Sequence, residues 1–329
     1  MTLDVCGIGS ALVDILVEVP LDWMEESDLV KGSMQLMDLE TAAAVHDRAP
    51  GGIERSGGSA ANTIAGLASL GAATGFIGRV GADRFGEVFT ADLSSLGVAF
   101  GGGVSDSGAG SGQTGRCLVL VTPDADRTMC TSLGVAAHLS SSDLSEEMIA
   151  GSEITYLEGY LWDEPVAIEA LRSAIATAHA AGRRVALSLS DPFCVERHRA
   201  AWRQLVASEV DVLFGNEAEL CSLMELDDLA AACRAVARPG LTVTVTRGPE
   251  GAWAFSDRGG IVSVEASPVD VVADTTGAGD LYAAGFLYGM VRGADLETSA
   301  RYGSIAAAEV ISHIGARPEQ DLASLLVGA

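Results

Sequence analysis

From Ile154 onward, short apolar runs of strand character alternate with segments of helical length and spacing, and no other feature restricts the possible folds as tightly. The reading runs strand Ile154 to Leu157, helix Pro165 to Ala180, strand Arg184 to Leu189, helix Val195 to Ala207, strand Val210 to Phe214 and helix Glu217 to Met224. Strand Leu241 to Thr246 follows, then a hairpin around Gly251 to Val264 and helices Ala278 to Val291 and Leu296 to Ile311. Nearer the start, Asp4 to Gly9 reads as a buried strand, Gly58 to Leu70 as a helix closed by Gly71, Ala73 to Arg79 as a strand and Phe85 to Leu96 as a helix. Such alternation predicts an α/β fold: a mostly parallel, Rossmann-type sheet with helices on both faces, whose ligands bind beyond the carboxyl ends of the strands.

Two stretches leave this pattern. Val13 to Met37 and Val98 to Thr131 carry short alternating runs between glycine-rich turns, among them Gly115 to Val121 and Thr128 to Thr131, and predict a separate small sheet with one solvated face. Gly101 to Gly112 reads as a flexible connection. A length of 329 residues favours one large domain with a smaller appended element over two equal domains.

Charge narrows the classes of partner. With 45 Asp and Glu against 20 Lys and Arg, the formal net charge is -25, which repels phosphate backbones and anionic lipid, so neither nucleic acid nor a membrane is an expected partner. No apolar run approaches the ~20 residues of a membrane span. The first twenty residues carry Asp4, Asp14 and Glu18 without a basic cluster, unlike a signal peptide. Six scattered cysteines, none at two-residue spacing, read as reduced and mostly buried thiols of a cytoplasmic protein.

The most informative segment is Asp274-Thr275-Thr276-Gly277-Ala278-Gly279-Asp280. It ends a strand-like run and opens a helix, so its small residues let exposed N–H groups approach an anion where the helix terminus adds partial positive charge. Asp280 at the mouth of that cradle suits a base that takes the proton of an attacking hydroxyl while the N–H groups stabilise a transferring phosphoryl group. The competing explanation is that Asp274 and Asp280 are helix caps and the glycines serve close packing. A Walker motif is absent because Lys31, in Val30-Lys31-Gly32, has no Gly before it. Gly7-Ile8-Gly9-Ser10-Ala11-Leu12 begins like a dinucleotide fingerprint but has Leu12 at the third glycine position.

Together with Gly57-Gly58-Ser59-Ala60-Ala61-Asn62, the heptad resembles the two signatures of the ribokinase-like PfkB family of sugar kinases, and the resemblance runs from about Leu3 to Pro318. Within it, Ala11 to Ile15, Leu29 to Gln35, Thr114 to Cys117, Leu187 to Phe193 and Val210 to Glu217 are most similar to the adenosine kinase branch. The family implies a main domain over residues 1–12, 38–107 and 135–329 and a small β lid over residues 13–37 and 108–134. It implies ATP as co-substrate, Mg2+, a possible K+, and adenosine or a sugar as acceptor, in a monomer or homodimer.

Carried over by position, the resemblance makes Asp280 the base, with Gly277, Ala278 and Gly279 as the anion cradle and Arg127 reaching over the transferred phosphate. Asp14 and Asn62 would hold ribose hydroxyls beside Gly58 and Ser59, and Leu12, Gln35, Cys117 and Tyr160 would line the base pocket. Core roles for Leu12, Cys117 and Tyr160 stay open, as does a turn role for Asp14 and a helix-start role for Asn62. Asn216 and Glu219 match the family's Asn-x-x-Glu element and would hold Mg2+ through water, although acidic residues in a first helical turn are also favourable on dipole grounds. Thr246 and Gly248 resemble nucleotide-binding positions, and Asp274 with Thr276 and the loop Ile314 to Pro318 resembles a monovalent-cation site. Ser10 stands where eukaryotic adenosine kinases have Asn, and Thr276 replaces another Asn of theirs. Alternatives are a ribokinase, a fructokinase, a sugar-acid kinase, an inosine-guanosine kinase, a non-catalytic nucleoside-binding regulator or an NAD-linked oxidoreductase.

Overall fold

In a computed structural model of the chain, residues 2–49, 51–105, 112–124, 127–256 and 260–327 are described. Part of the Gly101 to Gly112 stretch, residues 106–111, and Asp126 beside Arg127 lie outside them. The strands form a nine-stranded sheet, a five-stranded sheet and a two-stranded pair. In the large sheet the order is Val262–Val264, Ala252–Ser256, Thr242–Thr246, Val212–Asn216, Arg184–Ser188, Ser152–Glu158, Leu3–Ile8, Thr74–Ile77 and Ala99–Phe100. All neighbours are parallel except in the terminal hairpin, where Ala252–Ser256 runs antiparallel to both its partners.

Strand order reverses between Leu3–Ile8 and Ser152–Glu158: later strands add to one side and earlier ones to the other. A crevice opens at the carboxyl ends of that pair, the place where open parallel sheets bind ligands. Alternate side chains of each strand enter opposite layers. Val5, Tyr156 and Val212 join the core under the helices Ser59–Ser69, Ala278–Val291 and Leu296–Ile311. Cys6, Leu157 and Leu213 join the core under Pro165–Ala180, Pro192–Ser208 and Glu217–Met224. The helices start where local chemistry places them: Pro165 opens one, Asp191 accepts from the N–H of Phe193, and Asn216 with Glu219 forms a capping box.

The small sheet is mixed, in the order Met34–Leu36, Arg127–Gly134, Thr114–Val121, Leu12–Glu18, Ile53–Gly57. Its central pair, Leu12–Glu18 with Thr114–Val121, is parallel. Ile53–Gly57 pairs antiparallel with Leu12–Glu18 and so delivers the glycine pair Gly57-Gly58 to the crevice. The expected strand Ala73 to Arg79 is two strands, Thr74–Ile77 and Arg79–Gly81, parted at Gly78, where a Cβ would lie 2.6 Å from the Phe76 ring and 2.9 Å from the Gly9 carbonyl. After this break Arg79–Gly81 pairs with Gly103–Ser105. A helix over Leu39–Arg48, capped by Asp38, is an addition to the sequence reading. The six cysteines are free and all but Cys221 are buried, as expected. Among the described residues no helix is long and apolar enough to cross a membrane.

Candidate active site

Two helix starts meet in the crevice because glycine lets their axes close up. A Cβ on Gly66 would lie 2.6 Å from Leu281 and 2.8 Å from Ala284, so the Ser59–Ser69 and Ala278–Val291 helices pack without an intervening side chain. Their first turns then share one hydrogen-bonded group: the Ser59 hydroxyl donates to Asp280 Oδ1 at 2.6 Å, and Asn62 Nδ2 donates to Oδ2 at 2.9 Å. Burial pushes the Asp280 carboxyl above its usual range, against the pull of Ser59, Asn62 and the charge of Arg317. Asn62 Oδ1 is buried with no partner among the described residues, an unmet acceptor that a substrate hydroxyl can satisfy.

The phosphate corner has the unpaired donors that an anion needs. Gly277 adopts φ 78° at the helix start. Among the described residues no backbone acceptor takes the N–H of Gly277, Gly279 or Asp280, and a Cβ on Gly279 would meet only open space. The expected third donor behaves differently: the Ala278 N–H is used internally, by the Thr275 carbonyl at 3.2 Å. Asp274 is buried and fully engaged. It accepts from the N–H groups of Thr276 and Gly315, both at 2.8 Å, and pairs with Arg127 Nη1 at 2.7 Å. Arg127 also donates to the Ala273 carbonyl, so in this structure its guanidinium sits on Asp274.

A cavity of about 670 Å3 runs from the acceptor corner to the phosphate corner. Leu12, Asp14, Gly58, Ser59, Asn62, Cys117, Tyr160, Asn216, Glu219, Thr246, Thr276, Gly277, Gly279 and Asp280 all line it; Gln35, Arg127, Gly248, Asp274 and Ala278 do not. Gln35 is displaced by strand phase. On Met34–Leu36 the two flanking side chains face the cavity, while the Gln35 amide donates to Ser33 Oγ at 3.2 Å.

The sequence reading missed Glu158. It ends the strand next to Leu3–Ile8, is 1 % exposed, and accepts from the N–H of Ala60 at 2.9 Å and of Ser10 at 3.3 Å. A Cβ on Gly9 would lie 2.4 Å from its Oε2, so the second glycine of the apparent dinucleotide fingerprint makes room for a carboxylate. Glu158 sits in no family signature the sequence reading used, and its partner Ala60 lies 98 positions away, so no local pattern marks it.

Burial pushes the carboxyls of Asp14, Glu158 and Glu219 up to about 7, opposed by Arg317 at Asp14, by the Ala60 N–H at Glu158 and by the Asn216 N–H at Glu219. Unfolded, they titrate near ~4. Between ~4 and about 7 the folded chain holds protons that the unfolded chain releases, so stability falls as pH rises through that window and levels off above it. The ligand-free protein should melt at a higher temperature near pH ~5.5 than near pH ~8. Glu158→Gln should narrow the gap, and a gap equal to that of the parent would contradict the assignment.

The pattern that defines the pfkB family carbohydrate kinases matches residues 29–322. The chain belongs to the PfkB family. Three relatives illustrate its range. The solved adenosine kinase of Sinorhizobium meliloti is 41% identical, with 98% of each chain covered and a TM-score of 0.89. The 5-dehydro-2-deoxygluconokinase of Listeria monocytogenes is 30% identical over 78% of this chain and 80% of its own. The adenosine kinase of Saccharomyces cerevisiae is 29% identical over 96% of both. As a PfkB kinase, the protein is a phosphotransferase with an alcohol acceptor, and kinases of this family use ATP, generally with Mg2+. The turnover-free regulator and the NAD-linked enzyme are thereby set aside.

Proposed function

We propose that the protein is an ATP-dependent adenosine kinase that phosphorylates the 5'-hydroxyl of adenosine. The observation that carries this reading is the chemistry of the cavity wall. Asp14, Glu158, Asp163, Glu164, Asp191, Glu219 and Asp280 face the cavity; among the described residues Arg197 is the one basic side chain lining it, and it is already paired with Asp163 at 2.6 Å. Above about pH 7, where Asp14, Glu158 and Glu219 are ionised, a sugar acid would bring a carboxylate against this wall, and like charges at short range cost several kcal/mol. A neutral polyol with a flat apolar part fits better. Asp14, Asn62 and Glu158 suit hydroxyls, while Met34, Leu36, Val119, Met129, Leu133 and the Tyr160 and Phe193 rings suit a purine.

In the proposed mechanism Asp280 accepts the 5'-hydroxyl proton as that oxygen attacks the γ-phosphate in line, and the N–H groups of Gly277, Gly279 and Asp280 receive the charge on the transferring oxygens. Arg127 would exchange Asp274 for the phosphoryl group. Asn216 and Glu219 would hold a hydrated Mg2+ through water, using the second lone pairs of oxygens that already accept within the capping box, Glu219 from the Asn216 N–H at 2.9 Å and Nδ2 at 2.7 Å and Asn216 Oδ1 from the Glu219 N–H at 2.9 Å. Bound there, Mg2+ would neutralise charge on the polyphosphate. Asp274 fits K+ less well, since N–H groups and Arg127 already occupy its oxygens, and no step is assigned to that ion.

Release of ADP from Mg-ATP, followed with adenosine, inosine, guanosine, ribose, fructose and 5-dehydro-2-deoxygluconate, tests the acceptor. Adenosine should exceed the sugar acid in kcat/KM by at least ~100-fold. A sugar acid as the best acceptor would overturn the reading and place the chain functionally beside its Listeria relative.

A further inference from the structure

Arg317 is a buried arginine to which neither signature assigns a task. It lies on the loop after the Leu296–Ile311 helix and is 7 % exposed. Its guanidinium donates to the Ser56 carbonyl from Nε at 3.0 Å and from Nη2 at 2.7 Å, to Ser56 Oγ at 2.6 Å, and from Nη1 to the Ala61 carbonyl at 2.7 Å. These partners bracket residues 57–60, the glycine pair and helix start that present Gly58 and Ser59 to the cavity. The same loop holds the phosphate corner. Gly315 N–H donates to Asp274 at 2.8 Å, and Ala316 packs where a Cβ on Gly277 would lie 2.6 Å from its own.

A guanidinium is an expensive group for a brace alone. Taking a guanidinium out of water is costly, and the first turn of a helix carries partial positive charge that disfavours a cation. Burial pulls its pKa down to about 10, against the charges of Asp92, Asp14 and Asp280. Asp92 is already committed to the Ser56 N–H at 3.0 Å and to the Ser56 hydroxyl. The other two are acceptor-site carboxylates, and each in turn feels Arg317 as its favourable charge.

We propose that Arg317 is a positioning residue for phosphoryl transfer, clamping residues 56–61 from beneath and supplying the counter-charge for Asp14 and Asp280. This rests on the reading of Asp280 as the base. The fork fixes where Ser59 and Asn62 place the Asp280 carboxylate, and the charge of Arg317 opposes the upward push of burial on it. Asp14, Tyr156, Glu158 and Tyr160 also act on Asp280 or are acted on by it, and Arg55 opposes Arg317. None of these replaces its positive charge over the acceptor.

The test compares Arg317→Met, Arg317→Lys and the parent enzyme, using adenosine or the best alcohol from the acceptor screen. Arg317→Met should lose about 100-fold in kcat and move the acid limb of kcat/KM up by about one pH unit. Arg317→Lys keeps the charge but loses the fork, so its acid limb should stay in place while acceptor KM rises about tenfold. A methionine variant that melts lower yet keeps parental kcat, KM and acid limb would show a brace and nothing more. If that variant does not fold, the lysine variant decides: raised KM with an unmoved limb supports the proposal, and parental KM overturns it. A parent enzyme that phosphorylates no alcohol would instead bring down the assignment of Asp280, and this inference with it.

Discussion

Asp280→Asn should lower turnover by about 100- to 10,000-fold while leaving the fold and adenosine binding in place. The variant is well suited to isolating chemistry from structure. Asp280 accepts from the Ser59 hydroxyl and from Asn62 Nδ2, and an amide can still accept from Ser59. Its new NH2 group would face the Asn62 NH2, but Asn62 Oδ1 is the buried atom that lacks a partner, so a flip of the Asn62 amide restores a donor–acceptor pair and turns its NH2 toward the substrate hydroxyl, whose oxygen can accept. The substitution also removes a carboxylate that burial disfavours. At neutral pH the variant should therefore melt no lower than the parent. Single-turnover assays and calorimetric titration with adenosine separate the outcomes: intact binding with slow transfer supports a general base, and transfer at the parental rate rules it out.

The second large effect should come from Gly58→Ala. Gly58 sits at φ 97°, a backbone conformation that an L-residue enters only at a cost, and an added Cβ would lie 2.2 Å from the Ser10 carbonyl oxygen. That oxygen belongs to the backbone beside Glu158 and cannot swing aside as a long side chain would. Relief requires the helix start at Ser59 to move, carrying Ser59 and Asn62 away from Asp280. Strain of this kind is worth about 3 kcal/mol, read as a lower denaturation midpoint. The displacement should cost about 100-fold in kcat/KM, the scale of a misplacement near one ångström. Gly71→Ala is the control. That glycine also has positive φ, 81°, but nothing lies within 4 Å of its Cβ position, so it should lose stability without a comparable loss of activity.

The parts of the fold and site that could be read from the sequence are those written contiguously. The parallel sheet was legible because each βα unit carries its own change of period, and the phosphate corner because a glycine-lined helix start must be built from consecutive residues. Glu158 and Arg317 were not legible as a pair of supports. Their partners lie 98 and 256 positions away, at Ala60 and Ala61, and no local pattern encodes such a contact. Ile53–Gly57 was missed because only Ile53 in it is large and apolar, so its sequence lacks the alternation that marks a strand. Gln35 shows a different limit. Its strand was located in the right neighbourhood, but a three-residue strand gives too few alternations to fix which side faces in.

The crowd of carboxylates along the cavity has a further consequence once transfer is complete. If adenosine is the acceptor, as proposed, a neutral alcohol enters but a phosphate monoester with up to two negative charges must leave past Asp14, Glu158 and Asp280. On the proposed reaction the wall that admits the reactant opposes the product, so AMP should be a weak inhibitor. Because Glu158 is buried and Asp14 and Asp280 are half-buried, away from solvent ions, its weak binding should change little with added salt.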